Sequence, residues 1–232
     1  AGASGQSNSN NTAVGKDALL SITTGGTNSV LGGGAANSIT TGGGNVIIGQ
    51  VAGYNTEDVD NAVIIGKDAG LGVMTDGADG TILIGKSAGA ALTTGARNLA
   101  LGYQALEDLT QGDDNIAIGY LALNGASTSD GVDRNIAIGN YALDAVSTNV
   151  AANNVAIGHN AGTAVTSGVE NVIIGSGAGA HDVNLANGDQ NVIIGQAADA
   201  STANAQNQIV IGYDATGQAN NSVTLGNASV TA

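Results

Sequence analysis

Residues 115–119 read Asn-Ile-Ala-Ile-Gly, and nearly the same five residues return at 135–139 and 154–158. They belong to a longer series in which a short aliphatic run ends in a glycine and a small residue follows three positions later. The thirteen glycines are Gly15, Gly32, Gly49, Gly66, Gly85, Gly102, Gly119, Gly139, Gly158, Gly175, Gly195, Gly212 and Gly226. Their spacing is mostly 17 to 20 residues, with a last step of 14. Such a period is typical of a solenoid in which each repeat forms one coil.

Each repeat is predicted to contain one very short strand directly before its glycine. Runs of three or four aliphatic residues are too short for helices and suit short strands. Side chains alternate across a strand, so Ile116 and Ile118 share one face and Ala117 lies on the other. The residue before the glycine is aliphatic in every repeat. We therefore predict that it is buried inside the coil and that Ile118→Asp destabilises the chain by several kcal/mol, as buried unpaired charges do.

The strands are apolar on both faces, because the middle position is also apolar, as at Ala117 and Ile47. A solitary solenoid needs only one buried face per strand. The pattern therefore predicts an oligomer in which the coil interior takes one face and a neighbouring chain the other.

Three further positions recur around this strand. An alanine three residues after the glycine fits a tight interior in twelve repeats. Asparagine four residues before the glycine predicts a stacked ladder of side chains, as at Asn115 and Asn135. An aliphatic–threonine pair predicts a second short strand followed by a glycine turn. These pairs are Ile22-Thr23, Ile39-Thr40, Leu92-Thr93, Leu109-Thr110 and Val165-Thr166. The extra residues of longer repeats are expected in surface loops near 71–80, 124–134, 144–153 and 181–190.

The composition indicates one elongated all-β domain over residues 1–232. The chain has 232 residues and no Pro, Cys, Trp or Phe, so its stability must come from hydrogen-bond ladders and stacked small aliphatic residues. Its net charge of -14 argues against nucleic acid and anionic membranes as partners. No stretch is long and apolar enough for membrane insertion. The chain begins at Ala1 without a signal segment, which predicts a mature product or an excised fragment. The repeat continues through 223–230, so an adjoining fibre domain or subunit is expected to cover that end.

No catalytic site, cofactor site or metal site is predicted. Residues 80–87, Gly-Thr-Ile-Leu-Ile-Gly-Lys-Ser, match a nucleotide-binding loop letter for letter. Their four central residues are in frame with the repeat strand, so they cannot form the loop that holds phosphate. His159 and His181 lie in different repeats and are interpreted as exposed polar residues. Acidic loops are interpreted as solvated, with calcium binding as the weaker alternative. Their carboxylates are Asp58, Asp60, Asp76, Asp79, Asp113, Asp114, Asp130 and Asp133.

The units Asn115-Ile-Ala-Ile-Gly119 and Asn154-Val-Ala-Ile-Gly158, each with alanine at plus three, resemble the head repeats of trimeric autotransporter adhesins. Similar repeats occur in phage tail fibres and virion spikes, and the resemblance covers essentially the whole chain. It implies a left-handed parallel β-roll of about thirteen coils in a homotrimeric fibre. Adhesin heads usually step by about 14 residues, so the longer steps here favour the fibre proteins.

The sequence therefore leaves three candidate functions. The first is a structural and adhesive segment of a tail fibre or virion spike, located outside the cell or on the virion surface. The second is the head of a bacterial surface adhesin, for which the partner would be a cell-surface glycan or protein receptor. The third is an enzyme built on a β-solenoid, which requires a groove lined with catalytic carboxylates. The sequence contains no such line of residues, so we expect no enzyme.

Overall fold

A computed structural model describes residues 10–125, 131–147 and 151–230. The chain is an all-β parallel β-solenoid, and it divides into two compact units, 1–114 and 115–232. The first unit contains β1 (Thr12–Val14), β2 (Ser29–Leu31), β3 (Val46–Ile48), β4 (Val63–Ile65), β5 (Ile82–Ile84) and β6 (Leu99–Leu101). The second contains β7 (Ile116–Ile118), β8 (Ile136–Ile138), β9 (Val155–Ile157), β10 (Val172–Ile174), β11 (Val192–Ile194), β12 (Ile209–Ile211) and β13 (Val223–Leu225). The single helical element in the described ranges is a 3₁₀ turn at Asp76–Ala78.

Within each unit, successive strands pair in parallel and in strict register. Ile47 of β3 lies beside Ile64 of β4, and Ile173 of β10 lies beside Ile193 of β11. The first pair is separated by 17 residues and the second by 20, yet the alignment is the same. The loops between strands therefore absorb the extra residues, as predicted, without shifting the ladder.

The middle residue of each three-residue strand faces the coil interior. Ile47, Ala117 and Ile173 are fully buried, whereas Ile118 is only half-buried. The prediction that the residue before the glycine lies inside the coil is therefore wrong, and with it the reason given for Ile118→Asp. The two flanking positions face outward because a three-residue strand can direct only its centre to one side and both ends to the other.

The aliphatic–threonine pairs form no second strand. Their aliphatic members Ile22, Ile39, Leu92, Leu109 and Val165 are buried and form a second apolar column of the interior, but the backbone there is turn and bend. Hydrogen bonds still join the coils here, from the N–H groups of Ala91 and Thr93 to the carbonyls of Glu107 and Thr110 at 2.8 and 2.9 Å. The Leu92 N–H between them instead donates within its own coil, to the Gly89 carbonyl at 3.1 Å. A strand needs a continuous ladder, and the tight turns on either side interrupt it.

The glycines mark a corner where adjacent coils touch through their backbones. Gly49 has φ +139°, and a Cβ built there would lie 2.5 Å from the carbonyl oxygen of Gly66 in the next coil. Only glycine fits such a conformation and such an approach. The alanine three residues later, such as Ala52 or Ala69, is fully buried, which confirms its predicted place in the interior.

The asparagine ladder is confirmed and is fully buried. Asn154 receives hydrogen bonds on its Oδ1 from the backbone N–H and the side-chain Nδ2 of Asn171, both at 3.0 Å. Its own Nδ2 donates to the Gly168 carbonyl at 2.8 Å and to Asn135 Oδ1 at 3.1 Å. Each amide thus satisfies backbone groups of its own coil and of the next one, which fixes their stacking.

Among the described residues, two side-chain oxygens are buried without a hydrogen-bond partner, the Oγ1 atoms of Thr56 and Thr224. Thr56 is fully buried where the two preceding coils carry Ile22 and Ile39. We expect Thr56→Val to raise the free energy of unfolding by about 1 kcal/mol, because it removes a desolvated hydroxyl at constant shape. Urea denaturation measures the change. In the matched control Thr93→Val a hydroxyl bonded to the Thr110 carbonyl at 2.8 Å is removed, so stability should fall; a loss in both variants would contradict the explanation.

Candidate interaction surface

The outward side of the strands in each unit carries two parallel columns of aliphatic side chains. One column consists of the first strand residues and the other of the residues that precede the glycines. In the first unit the pairs are Val46 and Ile48, Val63 and Ile65, Ile82 and Ile84, and Leu99 and Leu101. In the second they are Ile116 and Ile118, Ile136 and Ile138, Val155 and Ile157, Val172 and Ile174, Val192 and Ile194, Ile209 and Ile211, and Val223 and Leu225. We call these columns the outer aliphatic face of each unit.

The outer aliphatic face is accessible along both units in the single chain. Leu101 is 43% exposed, Ile157 37%, Ile211 39% and Leu225 68%, and the other members are at least partly exposed. Neighbouring strands of a sheet lie about 4.8 Å apart, so the exposed side chains form a continuous apolar strip rather than scattered residues. Parallel sheets are normally covered on both faces. A strip of this kind marks an interaction surface.

Polar and aromatic side chains border the face just beyond the glycines. In the first unit the Lys67 ammonium pairs with Asp68 at 2.5 Å, and the Lys86 ammonium lies 5.0 Å from the ring centre of Tyr103. In the second unit the ring centres of Tyr120 and Tyr141 are 5.1 Å apart, edge to face. An apolar centre with a polar and aromatic rim is the usual anatomy of a protein–protein interface.

The residues that resemble a phosphate-binding loop form a strand, as predicted. Ile82–Ile84 is β5, and Thr81 before it is buried with its hydroxyl donating to the Gly95 carbonyl at 3.3 Å. The backbone amides of this segment belong to the ladder: the Ile82 N–H donates to the Asn98 carbonyl at 2.8 Å. They are therefore not presented to a phosphate.

The acidic loop residues cap backbone groups of the preceding coil. Asp60 Oδ1 accepts from the Gly43 N–H at 2.6 Å, and Asp79 Oδ1 accepts from the Asp60 N–H at 2.7 Å. Asp114 forms a two-bond pair with the Arg97 guanidinium at 2.6 and 2.9 Å. Among the described residues these loops bring no three acidic groups together. Asp130 lies outside the described residues.

Two partly buried carboxyl groups have shifted pKa values. Desolvation raises the pKa of Glu107, partly opposed by a hydrogen bond from Gln104. Desolvation also raises the pKa of Asp144, opposed by a hydrogen bond from the Thr163 hydroxyl. In both cases burial penalises the charged form, so mild acidification favours the protonated group in the folded chain.

The two histidines lie in different places, as predicted. His159 is exposed and packs edge to face with Tyr141, with ring centres 6.1 Å apart. His181 is exposed in the loop after β10, and its Nδ1 lies 3.3 Å from Asp182 Oδ1. His181 and Asp182 form a group with Asp214, in which one ligand atom of each residue lies within 4.8 Å of the others. Sequence reasoning missed this group, because Asp214 comes two repeats later.

Comparison with known proteins gives no match to any family model, curated protein or solved structure. Within the described ranges, no helix has the length and apolar character needed to cross a membrane. The resemblance to adhesin heads and tail fibres stays an expectation from the repeat.

Proposed function

We propose that the chain is a structural segment of an extracellular or virion fibre, in which three copies pack through their outer aliphatic faces. In this role it spaces and presents attachment surfaces rather than performing catalysis. The observation that carries the proposal is the exposed aliphatic strip on a parallel sheet, present in both units. The number of three copies comes from the resemblance of the repeats to trimeric fibre proteins.

The size of the face is in the range needed to hold copies together. Covering a half-exposed Val, Leu or Ile contributes on the order of 1 kcal/mol. Association costs about 4–15 kcal/mol in lost translational and rotational freedom. In the second unit five residues of the face are more than a third exposed and the other nine are partly exposed, so burial of the whole face is of the same order as the lower part of that cost. The five are Ile157, Ile209, Ile211, Val223 and Leu225. Packing of the three copies also excludes water from a sheet face that is normally covered in parallel architectures.

The head of a bacterial trimeric surface adhesin is the second candidate, and the exposed rings favour it. None of the five tyrosines belongs to the buried core. Tyr120, Tyr141 and His159 pack edge to face on three successive coils. Surface aromatic clusters that the core does not require are typical of binding sites for other molecules. In that role the cluster of Tyr120, Tyr141 and His159 would contact a host glycan or protein.

Two neighbouring substitutions in β9 test the proposed assembly. Ile157→Asp places a charge on the outer aliphatic face, so we expect a folded chain that no longer associates. Ala156→Asp places an unpaired carboxylate in the coil interior, so we expect a loss of several kcal/mol and an unfolded chain. Light scattering coupled to size exclusion gives the mass, and circular dichroism gives the fold. We expect the unsubstituted chain to have three times the monomer mass at micromolar concentration.

Two results would count against the proposal. A monomeric unsubstituted chain would remove the need for a covered outer face and leave the fibre assignment without support. An Ile157→Asp variant that keeps the mass of the unsubstituted chain would show that assembly uses another surface. The adhesin alternative is tested separately, by glycan-array and matrix-protein binding with Tyr141→Ala, which is expected to remove binding without changing the mass.

A further inference from the structure

Three side chains of types that bind metal ions lie close together beside the loop after β10. His181 and Asp182 lie on this loop, and Asp214 follows Gly212 in a later coil. One ligand atom from each residue lies within 4.8 Å of the others, and all three side chains are exposed. This group differs from the acidic loops, because it includes an imidazole nitrogen and combines residues from coils that are far apart in sequence.

The spacing suits one small divalent ion. His181 Nδ1 and Asp182 Oδ1 are 3.3 Å apart. Zinc binds histidine nitrogen and carboxylate oxygen at about 2.0–2.2 Å, so two ligands on one ion lie roughly 3.0–3.5 Å from each other. The first two ligands already have this separation. The third ligand atom, from the Asp214 carboxylate, lies within 4.8 Å of both.

The backbone that carries two of the ligands is anchored by a residue outside the group. The Asp199 carboxylate is 1% exposed. It accepts hydrogen bonds from the N–H groups of His181, Asp182 and Val183 at 3.1, 2.6 and 3.1 Å. Asp214 is fixed by its own N–H, which donates to the Gln196 carbonyl at 2.9 Å. Such second-layer support is what positions ligands before a metal arrives.

Charge and surroundings favour a cation with open coordination positions. In the described part of the chain no lysine or arginine forms an ion pair with Asp182 or Asp214. All three side chains are exposed, which leaves room for water on the ion. A mixed nitrogen and oxygen set selects zinc, nickel, cobalt or copper over calcium, which prefers oxygen alone.

We propose that His181, Asp182 and Asp214 bind one divalent transition-metal ion, with water in the remaining positions. The ion would tie the loop after β10 to the coil of β12, across the intervening coil of β11. This inference is independent of the proposed fibre function, because it depends on residues within one chain and outside the outer aliphatic face.

Titration of the tag-free full chain with Co²⁺ and Zn²⁺ tests the site. The chain has no cysteine and only two histidines. A nitrogen ligand that is detected by the visible absorption of bound Co²⁺ can therefore be assigned to one of two side chains. We expect one ion per chain by calorimetry, and binding at least tenfold weaker in His181→Ala and in Asp214→Asn. His159→Ala, which removes the other histidine, is the matched control and should bind as the unsubstituted chain does.

The ligands are exposed, so these variants are expected to keep their circular dichroism spectra. A second measurement is the thermal midpoint, which Zn²⁺ should raise for the unsubstituted chain and for His159→Ala but not for His181→Ala. Absence of binding, equal binding by His181→Ala, or loss of binding in His159→Ala would each overturn the proposal.

Discussion

Gly49→Ala is expected to lower the free energy of unfolding by about 3–5 kcal/mol, from strained backbone and steric overlap together. The added Cβ would lie 2.5 Å from the Gly66 carbonyl oxygen, and the residue would have to keep φ +139°. Neither the neighbouring backbone nor this torsion can relax without breaking the coil-to-coil ladder. Urea denaturation followed by circular dichroism measures the effect.

Substitutions at two other glycines separate the effect of steric overlap from the effect of the positive φ. At Gly33 an added Cβ meets nothing within 4 Å and the backbone is not left-handed, so Gly33→Ala should be nearly neutral. Gly177 also has open space but φ +68°, so Gly177→Ala should cost about 1 kcal/mol from the torsion alone. If Gly33→Ala were as damaging as Gly49→Ala, close approach of the coils would not explain the glycine column.

Asn154→Ala is expected to cost about 3 kcal/mol or more. It leaves the Asn171 N–H and the Gly168 carbonyl without their side-chain partner in a buried site, and each unsatisfied buried group costs about 1–3 kcal/mol. Asn154→Asp should also destabilise, because a carboxylate cannot donate to Gly168 and places a charge in the interior.

Asn204→Ala is the control for the ladder. Asn204 is exposed, and its Oδ1 accepts a hydrogen bond from Asn187 Nδ2 at 3.0 Å. We expect a change within about 0.5 kcal/mol, as at most surface positions. Equal losses at Asn154 and Asn204 would mean that the buried ladder contributes no more than an ordinary surface amide.

The repeat made much of the fold predictable. The glycine spacing located the thirteen strands of the described residues, because each is followed by the glycine that the coil corner requires. The alanine and asparagine positions were also interpreted correctly, since small volume and paired amides have few other uses in a narrow interior. The strand residues did not reveal which face points inward. A strand such as β3 has aliphatic side chains on both faces, so the alternation of side chains does not show which face is buried.

The second strand was wrongly predicted and the group of His181, Asp182 and Asp214 was not predicted at all, because both depend on contacts between coils. The aliphatic–threonine pairs have the composition of a strand, but turns on both sides prevent a ladder, and a propensity scale does not register that constraint. His181 and Asp214 are 33 positions apart in number. Their proximity depends on the path of the longer loop after β10, and a local sequence pattern does not predict that path.

The constant register across repeats of unequal length has a consequence for how such genes change. Because each strand contacts only its neighbours through equivalent positions, duplication or loss of one whole repeat recreates the same junction on either side. Recombination between homologous repeats would therefore produce chains with more or fewer coils without requiring compensating substitutions. Insertions confined to the loops would diversify the surface while leaving the glycine corner and the asparagine ladder unchanged. In this architecture, coil number and loop sequence can evolve separately.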